Sequence, residues 1–253
     1  MIVQNRLKEV IDMINSVSLF TCGVCIAPEN WFTKNIPTPY RLYYIRGGSA
    51  YFSFGAEKFK LRKNHFYLFP SSLPFVIRQD PHDILDHLFY NILLSPTVMS
   101  ANPISADIHT HPLFEKFLEI MEITAWNYAQ NKTTENKDIA AKVLEAFLTL
   151  FFSVNPISKS ENNDILASIT YMETNYMHDI TIKEIASGLF LSEDYFIRKF
   201  KASIGMTPYA YLSKLRLSIA NELIASGVSL TDAAKATGFK YVSSLSHALK
   251  KKS

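Results

Sequence analysis

The sequence has little with which to do redox, metal or phosphate chemistry. Only two of its 253 residues are cysteine, Cys22 and Cys25 in TCGVC. Two thiols cannot make a disulfide framework, and a tetrahedral zinc site needs four ligands. No second CxxC and no HxxxH completes a set. A thioredoxin-like motif belongs where a strand enters a helix, whereas the following IAPENW reads as a turn, so two buried strand thiols are expected. No apolar run approaches the roughly 18–20 residues that cross a bilayer; the longest, LEAFLTLFF at 144–152, is half that. MIVQNRLKEVIDMINS at the start lacks the charged-then-apolar pattern of a signal peptide, and a cytoplasmic, non-membrane protein is expected. There is no GxSxG elbow and no GxxxxGK[ST] phosphate loop. A large charge of one sign is missing too: the net charge is +3.

What is present is a globular composition, 48% hydrophobic and 19% charged. The small charge excess is localised. Residues 1–163 hold fifteen basic and fifteen acidic side chains, while 164–253 hold eleven and eight. Within 228–253 five Lys face one Asp. A basic half hints at nucleic acid or another anionic surface; a solvated lysine tail is the plainer reading.

The texture of the chain changes along its length. Residues 3–15 carry Val3, Leu7, Val10, Ile11 and Ile14 at helical spacing. From 18 to 96, short runs rich in Tyr, Phe, Ile, Val and Leu are punctuated by Gly47-Gly48, Gly55, Pro70, Pro74 and Pro81. Strands with turns about every 8–12 residues predict a β-sandwich or barrel, with a hairpin around Gly47-Gly48. The period then switches. LFEKFLEIMEITAWNYAQ (113–130) places Leu113, Phe117, Ile120, Met121 and Thr124 on one stripe. KDIAAKVLEAFLTLFF (137–152) places Ile139, Val143, Ala146, Phe147 and Leu150 on another. Together they predict a helical hairpin whose apolar faces exceed what one barrel edge covers, hence a homodimer. VNPISKSENN reads as a linker. The fold class is therefore a multidomain α+β chain: residues 1–153, a linker at 154–163, and an all-α region at 164–253.

Every segment after 164 is short, helical and well punctuated. Thr181 and Glu184 form a capping box, Ser192 is an N-cap, Thr207 caps with Pro208 at the first helical position, and Ser229 precedes Asp232 by three. TIKEIASGLFLSEDYFIRKFK and SLTDAAKATGFKYVSSLSHALK share one design. Each has a capped helix, Ala186 or Ala234 at a close-packing position, a tight turn and a second helix that carries an apolar pair followed by Lys201 or Lys250. Helix, tight turn and helix is the helix-turn-helix layout, here twice and joined by a long helix.

A recognition helix must anchor on one stripe and reach the major groove with the other. Phe196 and Phe200 are the first anchor, with Asp194, Ile197, Arg198 and Lys201 opposite. Arg198 suits a bidentate contact to guanine, Asp194 a cytosine amino group, and Lys201 a phosphate. Leu245 and Leu249 are the second anchor. Val242, Ser243, Ser246 and His247 project outward, and Lys250 suits a phosphate. Either copy alone would read as an amphipathic surface helix; the duplication and the local charge tip the reading to double-stranded DNA.

Residues 164–250 resemble the DNA-binding domain of AraC/XylS-type transcription regulators. The resemblance is carried by IKEIA (182–186), LSEDYFIRKFKASIGMTPYAYLSKLRLSIANELI (191–224), AAKATGF (233–239) and LSHALKK (245–251). It implies two helix-turn-helix units entering successive major-groove segments on one face of the DNA, with RNA polymerase as a further partner. By motif position, Asp194, Ile197 and Arg198 match base-reading positions of the first unit, and Val242, Ser243, Ser246 and His247 those of the second. The chain departs from the pattern at Ala233 or Ala234, where an Ile is usual, at Leu245 and Leu249, where aromatics are frequent, and at His247, where Arg is frequent. It also ends at Ser253, where the pattern runs on through Gly, Pro and a short helix.

A weaker resemblance over 20–155 implies the family's small cupin-like β-barrel with an oligomerisation hairpin and a small-molecule effector. Arg46, His87 and Phe89 match pocket-lining positions of sugar-responsive members. As plain structure, Arg46 would pair with a surface acid and Phe89 would be core. The alternative function is a metal-dependent cupin enzyme, which needs clustered His and Glu ligands. His65, His82 and His87 are scattered, and His109 and His111 lie beyond the strands. No metal, no cofactor and no catalytic residue is expected.

Overall fold

The structure, a computed structural model, describes residues 16–35, 40–54, 57–69, 75–95, 103–155 and 163–250. The expected helix at 3–15, most of the linker, the turn at Pro70 and Pro74, and the last three residues lie outside these. The chain divides into two compact units near residue 158.

Among the described residues the first unit holds nine strands: β1 (Ser16–Ile26), β2 (Phe32–Asn35), β3 (Tyr40–Gly47), β4 (Ala50–Phe54), β5 (Glu57–Lys60), β6 (His65–Phe69), β7 (Phe75–Gln79), β8 (Asp86–Ser95) and β9 (Ile104–Asp107). They form two antiparallel sheets, ordered β1-β8-β3-β6-β9 and β2-β7-β4-β5. Among the described residues the strands face one another as a sandwich and do not close into a barrel. Tyr43, Ile45, Tyr67 and Phe69 of the first sheet share a core with Phe52, Phe75 and Ile77 of the second.

The hairpin expected at Gly47-Gly48 is corrected: β3 and β4 belong to different sheets. Gly48 turns the corner at φ +72°, and a Cβ there would sit 2.0 Å from the Ile84 carbonyl oxygen. Only glycine fits a left-handed residue pressed against backbone.

The other face of the five-stranded sheet packs on two helices, α1 (Leu113–Gln130) and α2 (Thr134–Val154). Because that sheet is covered on both sides, its central strands read as continuous apolar runs. Phe66 meets Phe114 and Phe147 at ring distances of 5.7 and 4.5 Å. The Tyr90 hydroxyl donates to the Met121 carbonyl across 2.9 Å, tying β8 to α1. The two thiols of TCGVC fall on opposite faces: Cys22 is buried against the helices, its pKa pushed up to about 12 by burial, while Cys25 is half-buried. A CxxC spacing within one strand separates the thiols, since side chains alternate.

The buried stripes of the helical pair coincide with those expected at Met121, Thr124 and Phe147 and otherwise lie about one position along. Phe114, Met121, Thr124, Ala125 and Tyr128 are buried in α1, and Ala140, Leu144, Phe147, Leu148, Phe151 and Phe152 in α2. Leu113, Ile120, Ile123, Trp126 and Ile139 are left exposed.

The second unit is helical: α3 (Asn163–Asn175), α4 (Ile182–Gly188), α5 (Glu193–Ile204), α6 (Pro208–Ala225), α7 (Leu230–Ala236) and α8 (Val242–Lys250). The caps fall where the sequence places them. Thr181 and Glu184 close the box that starts α4, Thr207 caps α6 with Pro208 behind it, and the Ser229 hydroxyl accepts from the Asp232 amide. Ser192 precedes α5 with extended backbone but makes no side-chain cap bond.

Candidate nucleic-acid interface

Two helix pairs, α4–α5 and α7–α8, flank the long helix α6. In each, an alanine lets the helices approach closely: Ala186 and Ala234 are both 1% exposed. In the first pair Phe196 and Phe200 are fully buried, their rings 5.6 Å apart, and Phe200 meets Tyr211 of α6 edge-on at 5.5 Å. The Tyr211 hydroxyl bonds Glu173 of α3 at 2.9 Å. These contacts fix the roll of α5 about its axis. Asp194, Arg198 and Lys201 are consequently exposed on its opposite side, and Ile197 is half-buried between. Arg198 and Lys201 make no ion pair among the described residues.

Lys199 behaves differently from its basic neighbours. It pairs with Asp164 of α3 at 2.5 Å, and this hydrogen bond raises its pKa. It holds α5 to α3 instead of joining the outward basic face. Glu193 is also engaged, accepting from the Tyr209 hydroxyl at 2.6 Å. Asp194 is thus the freer of the two acids at the positive end of the α5 dipole.

The second pair is built from smaller parts. Ala220, Ala233, Ala234 and Leu245 form its buried core, with Phe239, Val242 and Leu249 packed against them. Val242 therefore lies half-buried on this core. Ser243, His247 and Lys250 are exposed, and Ser246 is half-buried. Where the first pair uses Ile185 and two phenylalanines, the second uses Ala233 and leucines, so less apolar area holds α8 in place.

The two turns solve one backbone problem differently. Gly238, before α8, has φ +72°, and a Cβ there would lie 2.6 Å from the Tyr176 carbonyl oxygen. Phe190, in the turn before α5, has φ 58° and is 97% exposed. Arg216 of α6 clamps the chain beside Gly238: its Nε donates to the Tyr176 carbonyl and its Nη2 to that of His178, both at 2.7 Å. Burial lowers the pKa of this arginine.

In the first unit, Arg46 reaches Glu122 of α1 at 3.3 Å and Asp86 at 3.7 Å. His87 and Phe89 point the other way, into the sandwich, where their rings lie 5.9 Å apart. Sequence reasoning missed Arg41, which shares that inner face and donates to Asn91 Oδ1 at 3.1 Å. The signal was faint: Arg41, Tyr43 and Ile45 alternate with Leu42, Tyr44 and Arg46, and neither set is purely polar. Among the described residues no group of three or more His, Cys, Asp or Glu side chains is placed to hold a metal ion. No helix among them is long and apolar enough to cross a membrane.

Comparison with known proteins agrees with this geometry. A family model described as a helix-turn-helix domain matches residues 185–253. The probable transcriptional regulator LumQ of Photobacterium leiognathi is 32% identical over 94 residues, 37% of this chain and 38% of that one. The match thus spans well under half of LumQ. YbfI of Bacillus subtilis (strain 168), an uncharacterized HTH-type transcriptional regulator, is 20% identical over 81% of this chain and 80% of its own. Among solved structures, ToxT of Vibrio cholerae with an unsaturated fatty acid bound superposes with a TM-score of 0.59 at 15% identity, covering 94% of this chain and 91% of that one. At that identity the likeness carries the fold alone. The C-terminal unit of this chain is a helix-turn-helix domain, built as two helix pairs about α6.

Proposed function

We propose that the protein is a sequence-specific DNA-binding transcription regulator. Its C-terminal unit reads promoter DNA, and its N-terminal unit, cupin-like in descent, senses a small effector. One observation carries the reading. Two like-built helix pairs each bury an apolar anchor, Phe196 with Phe200 and Leu245, and leave a polar, basic face outward. Arg198 is the base-reading side chain of the first helix, and Lys201 and Lys250 are phosphate contacts. RNA polymerase is the machinery such a regulator would act on.

The test is duplex binding by the full chain. Arg198→Ala is expected to cost about 1–3 kcal/mol on the cognate site and to relax preference at one base position. Equal losses on cognate and random duplex would remove Arg198 from its role.

The same reading includes a homodimer. Ile123 and Trp126 on α1 are 60% and 57% exposed, beside Ile120 and Leu113, an apolar strip of the kind that marks an interface. Sedimentation of the wild-type chain should show a concentration-dependent dimer that Ile123→Asp dissociates; a wild-type monomer at every concentration would exclude it.

A further inference from the structure

The inner face of the five-stranded sheet carries a positive charge that no described residue neutralises. Arg41 on β3 lies opposite Asn91 on β8 and Phe69 on β6. It alternates with Leu42 and so shares a face with Tyr43 and Ile45, which line the core between the sheets. Its Nη1 donates to Asn91, but its Nε is buried without a partner. No carboxylate pairs with it among the described residues.

His87, four residues before Asn91 on β8 and on the same face, is the second unusual group. It is 2% exposed, and its Nδ1 is buried without a partner. Its ring lies 4.6 Å from that of Tyr43 and 5.6 Å from that of Trp31. Burial and the charge of Arg41 hold its pKa down to about 4, so at neutral pH Arg41 is the cation of this row. A guanidinium and an imidazole are thus set on one face among aromatic rings, each with an unsatisfied nitrogen. Leaving such groups without partners is costly in a low-dielectric interior.

We propose that this face seats the effector's head group and that the effector is a small organic monocarboxylate. Its carboxylate would lie on Arg41, and its apolar or aromatic body along Tyr43, Phe89 and Trp31. This rests on the reading of the N-terminal unit as a sensor. The planar fork of arginine matches a carboxylate in geometry as well as charge. A neutral polyol would leave the charge uncompensated, and a phosphate would call for a second cation, which the row does not supply.

The full-length chain tests this by calorimetric titration with phenylacetate, cinnamate, octanoate and dodecanoate, each beside its uncharged amide. At least one acid is expected to bind with Kd below roughly 100 µM, its amide about tenfold or more weaker. Arg41→Met should abolish acid binding while melting and duplex binding stay at wild-type values; Arg41→Lys, which keeps the charge and loses the fork, should weaken it about tenfold. Failure of all four acids, equal binding of acid and amide, or undiminished binding by Arg41→Met would overturn the proposal. Those results would leave the regulator reading standing, which falls instead if the wild-type chain shows no preference for any duplex.

Discussion

Gly238 is the position at which one methyl group should do most damage to DNA reading without touching DNA. The residue is left-handed, φ +72°, and its missing side chain leaves room for the Tyr176 and Met177 carbonyls at 2.6 and 3.1 Å from where a Cβ would stand. Alanine there incurs the left-handed backbone cost of about 1–2 kcal/mol. It also pushes on a carbonyl that Arg216 holds by a charged hydrogen bond, an interaction worth about 1.5–3 kcal/mol. The sum is roughly 3–5 kcal/mol. Two positions serve as controls. Gly205 has φ +80° but nothing within 4 Å of the place a methyl group would take, so Gly205→Ala should cost only about 1–2 kcal/mol. Phe190 is left-handed and exposed, so Phe190→Gly should relieve strain and be neutral or stabilising by up to about 1 kcal/mol, the added chain entropy of glycine offsetting part of the gain. The assay separates the units in the full chain. Both tryptophans, Trp31 and Trp126, lie in the first unit, so their fluorescence reports that unit, while helical circular dichroism reports both. Gly238→Ala should lower the second unit's melting by roughly 12 °C or more, leaving the tryptophan transition in place. If Gly238→Ala and Gly205→Ala melt together, close approach to the Tyr176 carbonyl is not what reserves position 238 for glycine.

Three further outcomes follow from particular residues. Lys201→Ala should flatten the salt dependence of duplex binding by about one unit of slope, whereas Lys199→Ala should leave that slope unchanged and loosen α5 from α3, because Lys199 is committed to Asp164. His87 takes up its proton at about pH 4 in the fold against 6.5 ordinarily. The unfolded chain therefore binds more protons between those values, so stability contributed by His87 is intact above pH 6.5 and lost as pH falls toward 4, by roughly 3 kcal/mol in all. His87→Phe should remove that slope from the acid limb of the first unit's melting curve, and an unchanged slope would show that His87 is not its source. Phe147→Ala, at the centre of the sheet–helix core with Phe66 and Phe114, should cost about 3–5 kcal/mol, read as an earlier tryptophan transition.

The second unit was far more legible in sequence than the first. Its caps are local chemistry: Thr181 with Glu184, Thr207 with Pro208 and Ser229 with Asp232 each determine a helix start from within four residues. The anchors Phe196 and Phe200 follow from the same periodicity. What periodicity does not supply is which polar groups meet across helices, so Lys199 reads as one more basic residue until Asp164 is seen beside it. In the first unit, β2 and β9 are four residues each, FTKN and ISAD, too short and too polar to stand out. Gly47-Gly48 looks like a hairpin turn, yet it carries the chain between sheets. Arg46 and Arg41 could not be told apart because β3 is covered on both faces and a bulge interrupts its register near Ile45. In the helical hairpin Met121, Thr124 and Phe147 fall where periodicity places them, while the rest of the buried stripe lies about one residue away because Ile120, Ile123 and Trp126 give α1 a second apolar side.

The central claim is that α5 and α8 read neighbouring stretches of one DNA face. Hydroxyl-radical footprinting of the full-length protein on the DNA flanking its own gene tests this most directly. Two protected segments about 10 base pairs apart on the same side of the duplex are predicted, the one under α8 weakened selectively by Gly238→Ala and the one under α5 by Arg198→Ala. A single protected segment, or two that respond alike to both substitutions, would contradict the account.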